Sequence, residues 1–121
     1  MSRKILAVDD SPSMRLLLRA TLSQRGYGVA EAEDGLAALA WLEGNMPSLV
    51  ITDINMPRLD GFGLIERLRA RADFVDTPIL VLTTESGEDK QARARAAGAT
   101  GWIVKPFDPE RLAAAVRRVV H

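Results

Sequence analysis

The chain has 121 residues, 47% of them apolar, with 16 basic and 16 acidic groups. That length suits one domain with a proper core (1–121), and the balanced charge leaves no electrostatic footprint for nucleic acid or an anionic membrane. Without cysteine there is no disulfide, thiol catalysis or thiolate metal site; without a long apolar run there is no membrane span, so the expected location is the cytoplasm.

The first apolar run, KILAV at 4–8, stops at two adjacent acids, Asp9 and Asp10. Ser11 then reads as a helix cap with Pro12 at the first helical position. Met14, Leu17, Leu18, Thr21 and Leu22 follow at helical spacing, and Gly26 ends the helix. YGVAEA (27–32) is a weaker strand, expected at a sheet edge. Leu36, Leu39 and Ala40 open a second helix. LVITD (49–53) is a strand ending in Asp53, and Leu64, Ile65 and Leu68 mark the third helix. ILVLTT (79–84) is the fourth strand, closing on Thr83 and Thr84. The fourth helix, about 87 to 97, offers the core only alanines: Ala92, Ala96 and Ala97. GWIVK (101–105) is the fifth strand, ending in Lys105. Asp108 and Pro109 repeat the cap signal, and Leu112, Val116, Val119 and Val120 form the last helical stripe.

Apart from the weak second one, these strands are nearly continuous apolar runs, as parallel strands buried on both faces should be. Five strand–helix units are too few for an eight-fold barrel. They predict an α/β fold, a doubly wound five-stranded parallel sheet of order 2-1-3-4-5 with five helices, flavodoxin-like.

In such folds ligands bind beyond the carboxyl ends of the strands. Four of the five strands end there in charged or hydroxyl residues: Asp9 and Asp10, Asp53, Thr83, and Lys105. A single aspartate at such a position reads equally as a helix cap; all four ends together favour a site. Three carboxylates and one ammonium leave a charge near −2, which a divalent cation would balance. With only oxygen ligands the metal should be hard, magnesium or, as a substitute, manganese. Magnesium keeps open positions for phosphate oxygens, so the chemistry points to phosphoryl transfer. It leaves open whether Asp53 accepts the phosphoryl group or only holds the metal.

VDDSPSMR, ITDINMPRLDGF, VLTTE and GATGWIVKPF, in this order and spacing, resemble the receiver domains of two-component response regulators over essentially the whole chain, most closely the single-domain chemotaxis regulators. The resemblance implies that Asp53 is phosphorylated from a phosphohistidine on a histidine kinase. It implies that Asp10, Asp53 and the Asn55 backbone carbonyl bind magnesium directly and Asp9 through water. Lys105 would pair with the phosphoryl group, Thr83 would hydrogen-bond it on switching, and the Lys105–Pro106 bond would be cis. Asn55 and Glu85 match the polar pair of rapidly self-dephosphorylating members. The aromatic three residues before the lysine is usually tyrosine or phenylalanine; here it is Trp102, which donates only through its indole nitrogen.

The domain is therefore expected to be a monomeric phosphoacceptor switch, catalysing only its own phosphorylation and dephosphorylation. It would signal through helix four, strand five and helix five to a protein such as the flagellar motor switch, with no direct nucleic-acid or membrane contact. A phosphorelay intermediate, a phosphate sink, or a receiver excised from a longer transcriptional regulator are alternatives. An aspartate-nucleophile phosphatase would want an Asp-x-Asp pair after strand one, and a flavodoxin-like electron carrier would want a Ser/Thr/Gly-rich phosphate loop in place of DDSPSM. Elsewhere, Arg67, Arg69 and Arg71 read as a solvated helix face. Met56 and Pro57 read as shaping a turn, Gly61 as supplying positive φ, and His121 as a chain end.

Overall fold

The computed structural model of the chain describes residues 3–120; His121 lies outside them. Its strands are β1 (Lys4–Val8), β2 (Gly28–Ala32), β3 (Leu49–Thr52), β4 (Ile79–Thr83) and β5 (Gly101–Val104). They alternate with α1 (Pro12–Ser23), α2 (Gly35–Leu42), α3 (Gly61–Arg69), α4 (Glu88–Ala97) and α5 (Pro109–Val119), and a 3-10 turn at Ala72–Phe74 precedes β4. All strand pairs are parallel, in the order β2-β1-β3-β4-β5. Parallel strands need crossovers, and the helices supply them on both faces.

Alternation along the central strands divides the core. Ile5, Ala7, Leu49, Ile51, Leu80 and Leu82 face α1 and α5, where Leu18, Leu22, Leu112 and Val116 meet them. Leu6, Val8, Val50, Ile79 and Val81 face the other layer, with Leu64, Ile65 and Leu68 of α3. Full burial of each such leucine, isoleucine or valine contributes about 2 kcal/mol. No helix among the described residues is long and apolar enough to cross a membrane.

Several expected core positions shift. Leu17 is 45% exposed while Leu18, Thr21 and Leu22 are buried, so the α1 stripe runs along one side of the leucine run. In α2 the buried positions are Gly35, Ala38 and Leu42; Leu36 and Ala40 face out. In α4 the buried alanine is Ala94, with Ala92 and Ala96 exposed and Ala97 half-buried. An all-alanine face gives too little contrast to fix the phase of a helix. β5 is an edge strand like β2, so its apolar run is only half covered and Val104 is exposed.

Caps agree with sequence more closely. Ser11 Oγ accepts from Met14 N, and Asp108 accepts from Arg111 N, each just before a proline at the start of its helix.

Candidate functional site

Strand register delivers the polar residues to one rim. Val8 of β1 pairs with Thr52 of β3, so Asp9 and Asp53 leave the sheet side by side. Thr83 of β4 pairs with Val104 of β5, and Lys105 follows. The backbone continues the ladder past each strand end: Asp53 N donates to Val8 O (3.0 Å), Asp9 N to Ala32 O (3.0 Å) and Lys105 N to Thr83 O (2.7 Å).

At the β1–β3 corner the Lys105 ammonium bridges two acids, donating to Asp9 Oδ2 at 2.7 Å and Asp53 Oδ2 at 2.8 Å. Asp53 Oδ1 accepts from Ile54 N (2.6 Å) and Asn55 N (3.4 Å). Asp9 Oδ1 accepts from Ser11 N (2.9 Å), while Arg15 holds its carbonyl. Asp9 and Asp53 are buried and Asp10 is exposed on the rim. Burial alone would lower the Lys105 pKa; hydrogen bonds to Asp53 and Asp9, with their charges, outweigh it and hold the pKa above the ordinary lysine value. The lysine therefore stays cationic at neutral pH.

Carboxylate oxygens of Asp9, Asp10 and Asp53 lie within 4.8 Å of one another. Three acids against one lysine leave the cluster near −2, and every donor is a hard oxygen. That donor set fits a divalent cation of the magnesium type.

Gly61 packs against this corner. A Cβ on it would lie 2.3 Å from Asp53 O, and its N–H donates to Ile54 O at 2.9 Å. Positive φ occurs at Gly26, Gly44, Gly98 and Arg58, not at Gly61. The expected left-handed turn is corrected: Gly61 is small so that α3 can approach the Asp53 backbone. Arg58, at φ 68, is in a conformation that costs a non-glycine residue about 1–3 kcal/mol. It forms a two-point ion pair with buried Asp34, the N-cap of α2.

The β4–β5 corner is bonded differently. Thr83 is fully buried and its hydroxyl accepts from Glu85 N at 3.4 Å. Half-buried Trp102 donates its indole N–H to Glu85 O at 3.0 Å. The Glu85 carboxylate pairs with Lys90 of α4. That hydrogen bond, helped by the Asn55 side chain, holds its pKa below the usual carboxylate range. The Lys105–Pro106 peptide is cis.

The chain matches the family model "Response regulator receiver domain" over residues 5–117. It is a response regulator receiver domain. The receiver is 43% identical over 111 residues to chemotaxis protein CheY1 of Helicobacter pylori, covering 90% of each chain. The solved structure of chemotaxis response regulator CheY4 of Vibrio cholerae superposes with a TM-score of 0.93 at 44% identity, over 98% of this receiver and 99% of that chain. The receiver domain of sensor histidine kinase PA1611 from Pseudomonas aeruginosa superposes with a TM-score of 0.91 at 27% identity, over 99% and 98% of the two chains. That structure has a magnesium ion coordinated in its active site cleft. The receiver thus has the CheY-like fold and belongs to two-component signalling.

The strand ends mark Asp9, Asp10, Asp53, Thr83 and Lys105 for this rim, and the register puts them there; Glu85 and Trp102, marked by the resemblance, meet at the β4–β5 corner. Asp34, Arg58 and Lys90 carry no such mark. Asp34 before Gly35 carries a legible cap signal, but nothing in sequence links it to Arg58, 24 residues away. Arg69 also departs from expectation: partly buried, it donates to Gly98 O, Phe74 O and Val75 O, and burial lowers its pKa. Arg71 stacks over Phe74 and pairs with Glu43 and Asp73, so of that trio Arg67 alone is a plain solvated residue.

Proposed function

We propose that this receiver accepts a phosphoryl group on Asp53 from the phosphohistidine of a histidine kinase. The observation that carries the reading is the Lys105 ammonium bridging Asp9 and Asp53 beside Asp10. Asp10, Asp53 and the Asn55 carbonyl would hold magnesium directly, and Asp9 would do so through water. The ion in the cleft of the PA1611 receiver supports this. Bound magnesium would supply positive charge to the phosphoryl oxygens during transfer.

One Asp53 oxygen attacks phosphorus. The P–N bond to the donor imidazole breaks, its electron pair leaves with the ring nitrogen, and that nitrogen takes a proton from solvent. The product is an acyl phosphate on Asp53. Lys105 shifts its hydrogen bonding from carboxylates to a phosphoryl oxygen as a point charge. The Thr83 hydroxyl, free to donate, reaches a second oxygen. Asn55 and Glu85 flank the water path for hydrolysis, which suits a short-lived signal.

Thr83 movement pulls on Glu85, and through Glu85 O on the Trp102 indole. The altered surface of α4, β5 and α5 would bind a downstream protein as a monomer. Similarity to CheY1 and CheY4 supports a chemotaxis role, with a flagellar motor switch as the target.

Incubation with acetyl phosphate and magnesium, followed by intact-mass measurement, tests the acceptor. One phosphoryl group should add to the wild type and none to Asp53→Asn or to chelator-treated protein. Full labelling of Asp53→Asn at the wild-type rate would overturn the assignment.

A further inference from the structure

We propose that Arg58 and Asp34 form a clamp that presets the β3–α3 loop for the divalent cation, making both positioning residues for the metal; the inference rests on the metal reading above. The loop, residues 54–60, carries Asn55, whose carbonyl is the one proposed ligand supplied by backbone. A carbonyl ligand is only as well aimed as its loop is rigid, because no side-chain rotamer can correct it.

Arg58 fixes that loop at its least natural point. Its backbone has φ 68, the left-handed region that an arginine does not choose by itself. Tertiary contacts must hold it there, and they are visible. Arg58 Nε donates to Asp34 Oδ2 at 2.6 Å and Nη2 to Asp34 Oδ1 at 2.9 Å, one guanidinium fork on one carboxylate. Asp34 is itself well anchored: it is 2% exposed, and Oδ1 also caps α2 by accepting from Ala37 N at 2.8 Å. The Arg58 side chain is 54% exposed, but its partner is already ordered, unlike a surface pair in which both side chains must be ordered for little return.

A second contact acts beside the first. Gly35 N donates to Leu59 O at 3.1 Å, and a Cβ on Gly35 would lie 2.6 Å from that oxygen. The first turn of α2 is thus seated directly on the loop. Asp10, Glu33, Asp34, Pro57 and Arg58 line one cleft, so the clamp opens on the same space as the rim aspartate.

Charge and geometry make opposite predictions for Arg58. A lone cation near the acids would weaken metal binding, and its removal would tighten it. The Asp34 carboxylate at 2.6 Å cancels most of that field at the distance of a third charge. Removing the pair as a unit leaves the local net charge unchanged and isolates the geometric effect.

The test is calorimetric titration of magnesium chloride into metal-free wild type, the Asp34→Asn/Arg58→Gly double variant, and Arg58→Lys. Asparagine still caps α2 and glycine accepts positive φ, so the double variant should keep its fold, the relieved strain at residue 58 offsetting part of the lost ion pair. Its magnesium Kd should nevertheless rise about tenfold, the low end for loss of groups that orient metal ligands. Arg58→Lys keeps the charge but loses the fork, and should fall between the two. Amide exchange of residues 55–59 in metal-free protein should quicken in the double variant, a readout that needs no metal.

A double variant binding magnesium as tightly as wild type, or more tightly, overturns the clamp. If the double variant loses its helical circular dichroism, Arg58→Lys decides, and an unchanged Kd there overturns the clamp equally. Wild type without saturable binding overturns the metal reading and this inference with it; unchanged loop exchange overturns the clamp alone.

Discussion

At the β1–β3 corner, buried Asp9 and Asp53 share one lysine, each carboxylate also accepts backbone N–H groups, and Gly61 lets α3 press against the Asp53 carbonyl. At the β4–β5 corner, by contrast, Thr83 and Glu85 meet at 3.4 Å and Trp102 is only half-buried. The adjoining α4 inserts one buried alanine into the core. Besides that alanine, α4 is held by Arg69, bonded to Gly98 O at its carboxyl end, and by Arg93, stacked 3.9 Å over the Phe62 ring. One corner is fixed by burial and by charges that cannot separate cheaply; the other is held by few contacts, which small displacements can exchange. The phosphoacceptor switch proposed above needs both, since a mobile acceptor would lose its geometry and a rigid output face would transmit nothing.

The largest predicted effect breaks the fixed corner. Lys105→Met strands two buried carboxylates and should destabilise the metal-free protein by about 3 kcal/mol, read by urea unfolding. Magnesium should restore part of that loss by binding the native state. An unchanged midpoint would mean that the bridge contributes little.

Next comes Gly61→Ala. Its methyl would collide with Asp53 O at 2.3 Å, a backbone atom that cannot rotate away. A loss of about 2 kcal/mol is expected, with weaker magnesium binding because the displaced atom belongs to Asp53, the proposed acceptor and metal ligand. A loss of the opposite kind, confined to stability with metal affinity intact, would separate α3 packing from the site.

The smallest effect concerns pH. The Arg58 hydrogen bonds and the α2 cap hold the Asp34 pKa below its ordinary value of 3.8. A depressed folded-state pKa contributes stability above the unfolded value and loses it as pH falls through the folded one. The melting-temperature gap between wild type and Asp34→Asn should therefore be present at pH 7 and close below about pH 4. A gap that widens in acid would contradict the pairing.

Both corners are legible in strand ends, because parallel register carries the residue after each apolar run to a common rim: Asp9, Asp53 and Lys105 to the fixed corner and Thr83 to the other. Caps at Ser11 and Asp108 are equally local. The phase of α4 is not legible, because alanines alone do not distinguish one face from another. Nor are the roles of Arg58 and Arg69, since a guanidinium reaching across the fold to a carboxylate or a carbonyl leaves no periodic signal. Gly61 shows a related limit: a glycine required for close approach looks the same in sequence as one required for a turn.

The most direct test of the contrast is hydrogen exchange with mass spectrometry, comparing metal-free protein with protein saturated by beryllium fluoride and magnesium, which stand in for the phosphoryl group. Altered exchange is expected from Glu85 through Ala97, the stretch that carries α4 and the Glu85 contacts to Thr83 and Trp102, while β1 and β3 stay as protected as before. Unchanged exchange across α4, with the change confined to the β1 and β3 ends, would contradict that contrast.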